Sequence, residues 1–120
     1  MSGLEPRLHE GAYAFVSLAP GASQDGLEPV ASVREPEGWT LVLPLEQARA
    51  RGLEPVWVGA WITLTAQTSL TQVGLTARFA ATLAAEQICC NVVAGAWHDH
   101  LFVPLDRQQD ALRLLQQMAP

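Results

Sequence analysis

The sequence predicts an α+β fold, and two observations lead to this prediction. Some segments alternate apolar and polar residues with the period of a strand, whereas others repeat apolar residues with the period of a helix. The same order of segments also occurs in both halves of the chain. A chain of 120 residues that is 49% hydrophobic can bury one compact domain or two very small lobes.

The first half is predicted to contain a strand, a loop, two strands, a helix and a further strand, after a polar lead-in at residues 1–11. The predicted strands are 13–18, 29–34, 39–43 and 56–66, and the predicted helix is 44–51. Pro44 fits the first position of this helix, because its missing N–H needs no partner there. Gly52 fits the position just after the helix end, which favours a left-handed backbone.

The second half is predicted to contain a strand, a helix, two strands and a final helix. The predicted elements are a helix at 74–87, strands at 89–94 and 100–103 and a helix at 106–118. Leu75, Phe79 and Leu83 repeat at four-residue intervals, which is typical of the buried face of a helix. Ala111, Leu115 and Met118 form the corresponding stripe of the last helix.

A shift of 60 residues aligns the segment LVLPLE at 41–46 with LFVPLD at 101–106. Each half then has a strand, a proline, an apolar residue and an acid in a helix's first turn, where the helix dipole favours negative charge. We interpret this similarity as internal duplication; chance similarity is the alternative. The βαββαβ order is ferredoxin-like. The predicted architecture is therefore two ferredoxin-like lobes side by side, at 12–57 and 58–120, with the first lobe lacking one helix.

Charge and hydropathy argue against several classes of partner. The net charge is −5, and no run of Lys and Arg is present to bind nucleic acid or an anionic membrane. No segment reaches the ~20 apolar residues of a membrane helix, and the N-terminus lacks the layout of a signal peptide. Cys89 and Cys90 are adjacent and form no disulfide framework. We therefore expect a cytoplasmic protein.

Five segments resemble the small bacterial ACT-domain proteins of unknown function. They are EGWTLVLP at 37–44, WITLT at 61–65, SLTQVGLT at 69–76 and CNVVAG at 90–95, followed by HDHLFVP at 98–104. The tandem-ACT architecture of eukaryotic cytosolic arginine sensors is more distantly similar. The resemblance implies a regulatory or sensing module that is not an enzyme, needs no cofactor and binds a small molecule, often an amino acid. It also implies side-by-side pairing of lobes, and unpaired sheet edges favour a homodimer.

The resemblance places the ligand at a lobe or subunit seam, near the loop before a helix and along a neighbouring strand. Carried onto this sequence, the ligand-binding residues are Thr68, Ser69, Val73, Gly74, Leu75, Asn91, Val92 and Val93. Many ligand-binding ACT domains carry an acidic residue in this loop, but the loop here, TSLTQVG, has none. A ligand ammonium group would therefore need a negative charge from elsewhere, or backbone carbonyls.

Two of these positions have alternative interpretations that are purely structural. Gly74 at the start of a helix lets a ligand approach the backbone, where free N–H groups bind a carboxylate. Alternatively, Ser69 or Thr71 caps the helix and Gly74 only relieves packing. Asn91 either binds a ligand or satisfies a neighbouring loop or sheet edge.

Two further hypotheses use other residues or no ligand at all. His98, Asp99 and His100 are metal-ligand types and would support a metal-dependent enzyme; the favoured alternative is a tight turn in which Asp99 bonds its own backbone. Cys89 and Cys90 offer a redox or metal thiol. The lack of a loop carboxylate favours a protein-interaction or dimerisation module without a ligand. The tryptophans at 39, 57, 61 and 97 either pack internally or form an aromatic patch.

Overall fold

The computed structural model describes residues 3–67 and 69–118 and has an α+β fold with antiparallel strand pairs and three α-helices in this range. The strands are β1 (Pro6–Leu8), β2 (Tyr13–Leu18), β3 (Ala31–Glu35), β4 (Gly38–Pro44), β5 (Trp57–Leu64), β6 (Asn91–Ala94) and β7 (Asp99–Pro104). The helices are α1 (Leu45–Ala50), α2 (Leu75–Ala85) and α3 (Gln108–Gln116). The predicted α+β class and the order of elements after the lead-in are confirmed.

The chain divides into two compact units. One is Gly11–Gly59, the 11–59 unit; the other joins residues 1–10 to residues 60–120 and is called the 60–120 unit. Strand β5 begins in the first unit and ends in the second.

The 11–59 unit contains the strand order β3-β4-β2-β5, with the β5 residues Trp57–Gly59 at one end. Strand β2 pairs antiparallel with β4 along its whole length, from Tyr13 opposite Pro44 to Leu18 opposite Trp39. Alternate residues of β2 point into the core because successive strand side chains face opposite sides. The core consists of Ala14, Val16, Leu18, Leu41, Leu43 and Ala48.

The 60–120 unit contains strands in the order β5-β7-β6, and β1 pairs antiparallel with β5. Its core includes Leu75, Phe79 and Leu83 from α2 and Ala111 and Leu115 from α3, so both predicted helical stripes are buried. Met118 is half-buried against the same core. None of the described helices has the length and hydropathy needed to cross a membrane.

The polar lead-in contains a strand that sequence reasoning missed. Pro6–Leu8 pairs with Ile62–Leu64, and Leu4 lies in the core of the 60–120 unit. The strand is only three residues long and its partner is more than fifty residues away. A local pattern of apolar and polar residues carries no signal for such a pairing.

Pro44 and Pro104 differ from the expected helix-start geometry in the same way. Pro44 is the last residue of β4 with φ −50° and ψ 134°, and Pro104 is the last residue of β7 with φ −57° and ψ 142°. These ψ values are extended, so each proline precedes its helical segment instead of occupying the first helical position. The two segments related by the 60-residue shift thus share their backbone course.

Other boundaries move by a few residues. Cys89 and Cys90 precede β6 instead of beginning it, and the last helix begins with a 3-10 turn at Leu105–Arg107. Gly52 follows α1 with φ +66°, as predicted, and donates its N–H to the Arg49 carbonyl at 3.1 Å.

Candidate functional site

The N-terminus of α2 has no side-chain cap. Gly74 precedes the helix with φ +96° and ψ −16°, and no side chain of the described residues hydrogen-bonds to this end. Ser69 instead hydrogen-bonds within its own loop: its Oγ accepts the Thr71 N–H at 3.1 Å and lies 2.8 Å from Thr71 Oγ1. The alternative in which Ser69 or Thr71 caps the helix is therefore wrong. The N–H groups of the first turn, which have no partner within the helix, point towards the loop.

A small cavity of about 70 Å³ lies at this end of α2. It is lined by Ser69, Leu70, Gln72, Leu75, Thr76, Ala94 and Asp99. The loop before α2, the first turn of α2 and the strands β6 and β7 therefore all line the same cavity. A cavity of this volume is large enough for about five to seven water molecules.

The predicted binding residues of the loop and helix differ in their relation to this cavity. Ser69 and Leu75 line it, whereas Val73 is 94% exposed. Gly74 lies between lining residues and has open space where a Cβ would stand.

The strand residues predicted for the site lie on β6, beside the cavity. Asn91 and Val92 are exposed, Val93 is half-buried opposite His100, and the next residue, Ala94, lines the cavity. Because Asn91 is exposed, water can hydrogen-bond to its amide without a partner from a neighbouring loop. Thr68, the remaining predicted residue, lies outside the described residues.

Asp99 is the carboxylate that sequence reasoning did not place at the site. It is only 8% exposed and begins β7 opposite Ala94. Strand alternation puts it on the face of Leu101 and Val103, which belong to the same core as Leu75. Among the described residues, its side chain has no hydrogen-bond or ion-pair partner. The alternation of residues 99, 101 and 103 is a signal from which its burial could have been predicted.

A wider, open depression of about 540 Å³ adjoins the cavity. Its lining includes Ser69 and Leu70, which also line the cavity, together with Gln67, Ala96 and Trp97. Leu70 is 69% exposed and Trp97 is 65% exposed. Trp97 therefore belongs to an exposed apolar surface, whereas Trp61 packs internally.

His100 faces away from Asp99 and joins a hydrogen-bond network that includes His9. Trp61 donates its Nε1–H to His100 Nδ1 at 3.1 Å, and Thr63 Oγ1 lies 3.0 Å from the same nitrogen. Thr63 Oγ1 also lies 2.8 Å from His9 Nε2, and the His9 ring stacks on Trp61 with centroids 3.5 Å apart.

The bond from Trp61 fixes the protonation of His100 Nδ1 in this network. The indole only donates, so His100 Nδ1 must accept and the His100 ring must be neutral. Thr63 Oγ1 lies within hydrogen-bond distance of both rings, and the tautomers of His9 and His100 set which of its hydrogen bonds it donates and which it accepts. Burial lowers the pKa of His100, and His98 lowers it further; burial, then Arg7 and His100, lower the pKa of His9. The network ties β1 to the strands beside it.

The geometry gives no support to chemistry at the other clusters. Because His100 and Asp99 lie on opposite faces, His98, Asp99 and His100 do not converge, and no three metal-ligand side chains do so in residues 3–67 and 69–118. Burial and the neighbouring Cys89 raise the pKa of Cys90 to about 11, so this thiol stays protonated at neutral pH and is a weak nucleophile.

Comparison with known proteins shows that the chain has a relative of solved structure. It shares 46% sequence identity with a Vibrio cholerae protein of unknown function described as a possible transport protein; the alignment covers 99% of this chain and 92% of the other, with a TM-score of 0.89. The chain belongs to the same family. An ACT domain model matches residues 1–58 of this family member. The ACT resemblance is thereby confirmed over that range, which ends before the predicted binding residues.

More distant structures show the same fold in other proteins. The regulatory subunit of aspartate kinase from Thermus flavus is 10% identical, with a TM-score of 0.70 and 98% of both chains covered. A protein from Agrobacterium tumefaciens is 18% identical, with a TM-score of 0.70, and 96% of this chain and 88% of that chain are covered. At these identities the comparison concerns the fold alone. No curated protein matches the sequence.

Proposed function

We propose that this family member is a non-enzymatic regulatory module that binds an amino acid at the N-terminus of α2. The observation that carries the proposal is the cavity in which this uncapped helix end meets the buried carboxylate of Asp99. The binding set comprises Thr68, Ser69, Val73, Gly74 and Leu75 on the loop and helix, and Asn91, Val92 and Val93 on β6.

The ACT match and the regulatory fold of the aspartate kinase subunit support a sensing role. The strand orders support two ferredoxin-like ACT lobes. In the 11–59 unit the order is β3-β4-β2-β5, with a loop where a first helix would stand. In the 60–120 unit β1 supplies the strand that would follow α3, beside β5. The similar backbone at Pro44 and Pro104 supports a second ACT lobe beyond the matched residues.

A thermal-shift screen with the twenty amino acids tests the proposal. A ligand at ~100 times its Kd adds about 2.7 kcal/mol to the free energy of unfolding, which raises Tm by roughly several degrees in a domain of this size. We expect one chemical group of amino acids to raise Tm and Gly74→Val to abolish the rise.

Gly26→Val is the matched control for this screen. Gly26 has φ +79° and, like Gly74, open space around its missing Cβ, but it lies in the 11–59 unit. The two variants therefore carry similar backbone strain, and only Gly74→Val adds bulk beside the first turn of α2. If no amino acid raises Tm, the alternative of an interaction module without a ligand becomes the better interpretation.

A further inference from the structure

Asp99 is a buried acid whose side chain has no hydrogen-bond or ion-pair partner within residues 3–67 and 69–118. Asp99 as a residue is only 8% exposed, and it lines the cavity, where a ligand can reach its carboxylate. No basic side chain and no hydrogen-bond donor among the described residues pairs with it. A purely structural acid in this position would be expected to have such a partner.

The groups facing the same cavity complement an amino-acid head group. The first turn of α2, at Leu75 and Thr76, presents uncapped N–H groups and the positive end of the helix dipole, which bind a carboxylate. Asp99 presents the opposite charge, which binds an ammonium group. A zwitterion satisfies both ends at once, whereas a simple anion or cation satisfies one.

The small cavity and the wider depression beside it would hold different parts of such a ligand. A cavity of about 70 Å³ admits about five to seven non-hydrogen atoms, and the ammonium, α-carbon and carboxylate of an amino acid make five. The side chain then has to leave through the adjoining depression, whose exposed large residues are Leu70 and Trp97. An apolar side chain gains by covering these residues.

We infer that Asp99 binds the α-ammonium group, and the first turn of α2 the α-carboxylate, of an amino acid whose apolar side chain lies against Leu70 and Trp97. This inference rests on the proposed function and adds the residue that recognises the ammonium group and the class of side chain selected. The loop has no acidic residue to bind a ligand ammonium group, and in this inference Asp99 of β7 supplies the carboxylate instead.

Isothermal titration calorimetry with L-leucine, L-phenylalanine, glycine and L-glutamate tests the inference. We expect the wild type to bind leucine or phenylalanine more tightly than glycine and glutamate. 4-Methylpentanoate and isoamylamine, which lack the amine and the carboxylate of leucine, should each bind at least tenfold more weakly than leucine.

Asp99→Asn should weaken binding by about ten- to hundredfold, because it removes a charge-assisted hydrogen bond. Asp106→Asn makes the same change of net charge at an exposed position of the same unit and should leave affinity unchanged. Trp97→Ala should weaken leucine binding without altering the affinity for glycine. Ala94→Leu keeps the acid but fills the cavity, and should abolish binding.

The outcomes separate the inference from the proposed function. Amino-acid binding that survives Asp99→Asn overturns the role of Asp99 and leaves the sensing function standing; preference for glutamate or glycine overturns the side-chain assignment alone. Absence of binding for every amino acid overturns both. The Tm of ligand-free Asp99→Asn should equal or exceed that of the wild type, and a lower Tm would show that Asp99 is structural.

Discussion

Gly38 is the residue whose backbone is most restricted by its neighbours among the described glycines. Its φ is +133°, and a Cβ added there would stand 1.9 Å from the Leu18 carbonyl oxygen. Alanine at this position would have to displace β2 or move the turn before β4. The restriction is set by backbone, which cannot rotate away as a long side chain can.

We expect Gly38→Ala to lower the free energy of unfolding by roughly 2–4 kcal/mol, from strain and overpacking together. Gly21→Ala is the control, because Gly21 has φ +81° and open space around it; its cost should be about 1 kcal/mol. Urea unfolding of both variants measures the difference. Equal costs would show that positive φ alone, and not the Leu18 carbonyl, restricts Gly38.

At the scale of the element, β1 is held by side chains as much as by its short backbone pairing. The His9 N–H donates to the Trp61 carbonyl at 2.9 Å, and the His9 ring reaches His100 through Thr63. His100 must be neutral for this arrangement. Protonation at Nδ1 would set its new N–H against the Trp61 indole N–H, donor against donor.

The free energy of unfolding should therefore fall as the pH falls below about 6.5, the ordinary pKa of histidine. The native pKa values of His9 and His100 lie below that value, so the unfolded chain binds more protons in this range and acid favours unfolding. Above this range the contribution is fully present. Thermal unfolding between pH 8 and pH 5 measures the effect.

His100→Asn, which keeps an acceptor near the Nδ1 position but does not titrate, should flatten this pH dependence. His98→Asn is the comparison: it keeps His100 and removes only a neighbouring group that lowers the pKa of His100, so it should reduce the slope less than His100→Asn does. A wild-type slope unchanged by His100→Asn would show that other groups cause the loss of stability in acid.

At the scale of the whole molecule, the strands at the edges of the sheet are where a second copy of the chain can pair. Strand β6 is the last strand in the order β5-β7-β6 and carries exposed Asn91 and Val92. An edge strand offers unpaired N–H and C=O groups to a second copy. This edge adjoins the proposed amino-acid site, so pairing there would bring that site close to a neighbouring chain.

We expect sedimentation velocity to give twice the 13.0 kDa of one chain. Val92→Lys should shift the protein towards monomer, because a charged side chain at an edge opposes pairing. Val33→Lys places the same charge on β3, the edge strand of the 11–59 unit, and should leave the dimer intact. If only Val33→Lys dissociates the dimer, the interface lies at β3; a monomeric wild type contradicts the dimer itself.

Much of the fold was predictable because its signals are local. The alternation of Tyr13–Leu18 and the four-residue spacing of Leu75, Phe79 and Leu83 each arise within one element, and the structure contains both as expected. The turn at Gly52 is likewise local. The site was only partly predictable: Ser69 and Leu75 line the cavity, but Asp99 comes from a strand that follows the loop by more than twenty residues.

The sequence by itself determined the α+β class, the order of elements after the lead-in and the stripes that α2 and α3 bury, because periodicity and turn residues specify each element within a few positions. The tertiary structure alone decided that Pro6–Leu8 is a strand, that His9 and His100 share Thr63, and that Asp99 faces the start of α2. These relations join residues far apart in the chain. They follow from which strands pair and which face each side chain takes, and no local pattern specifies either.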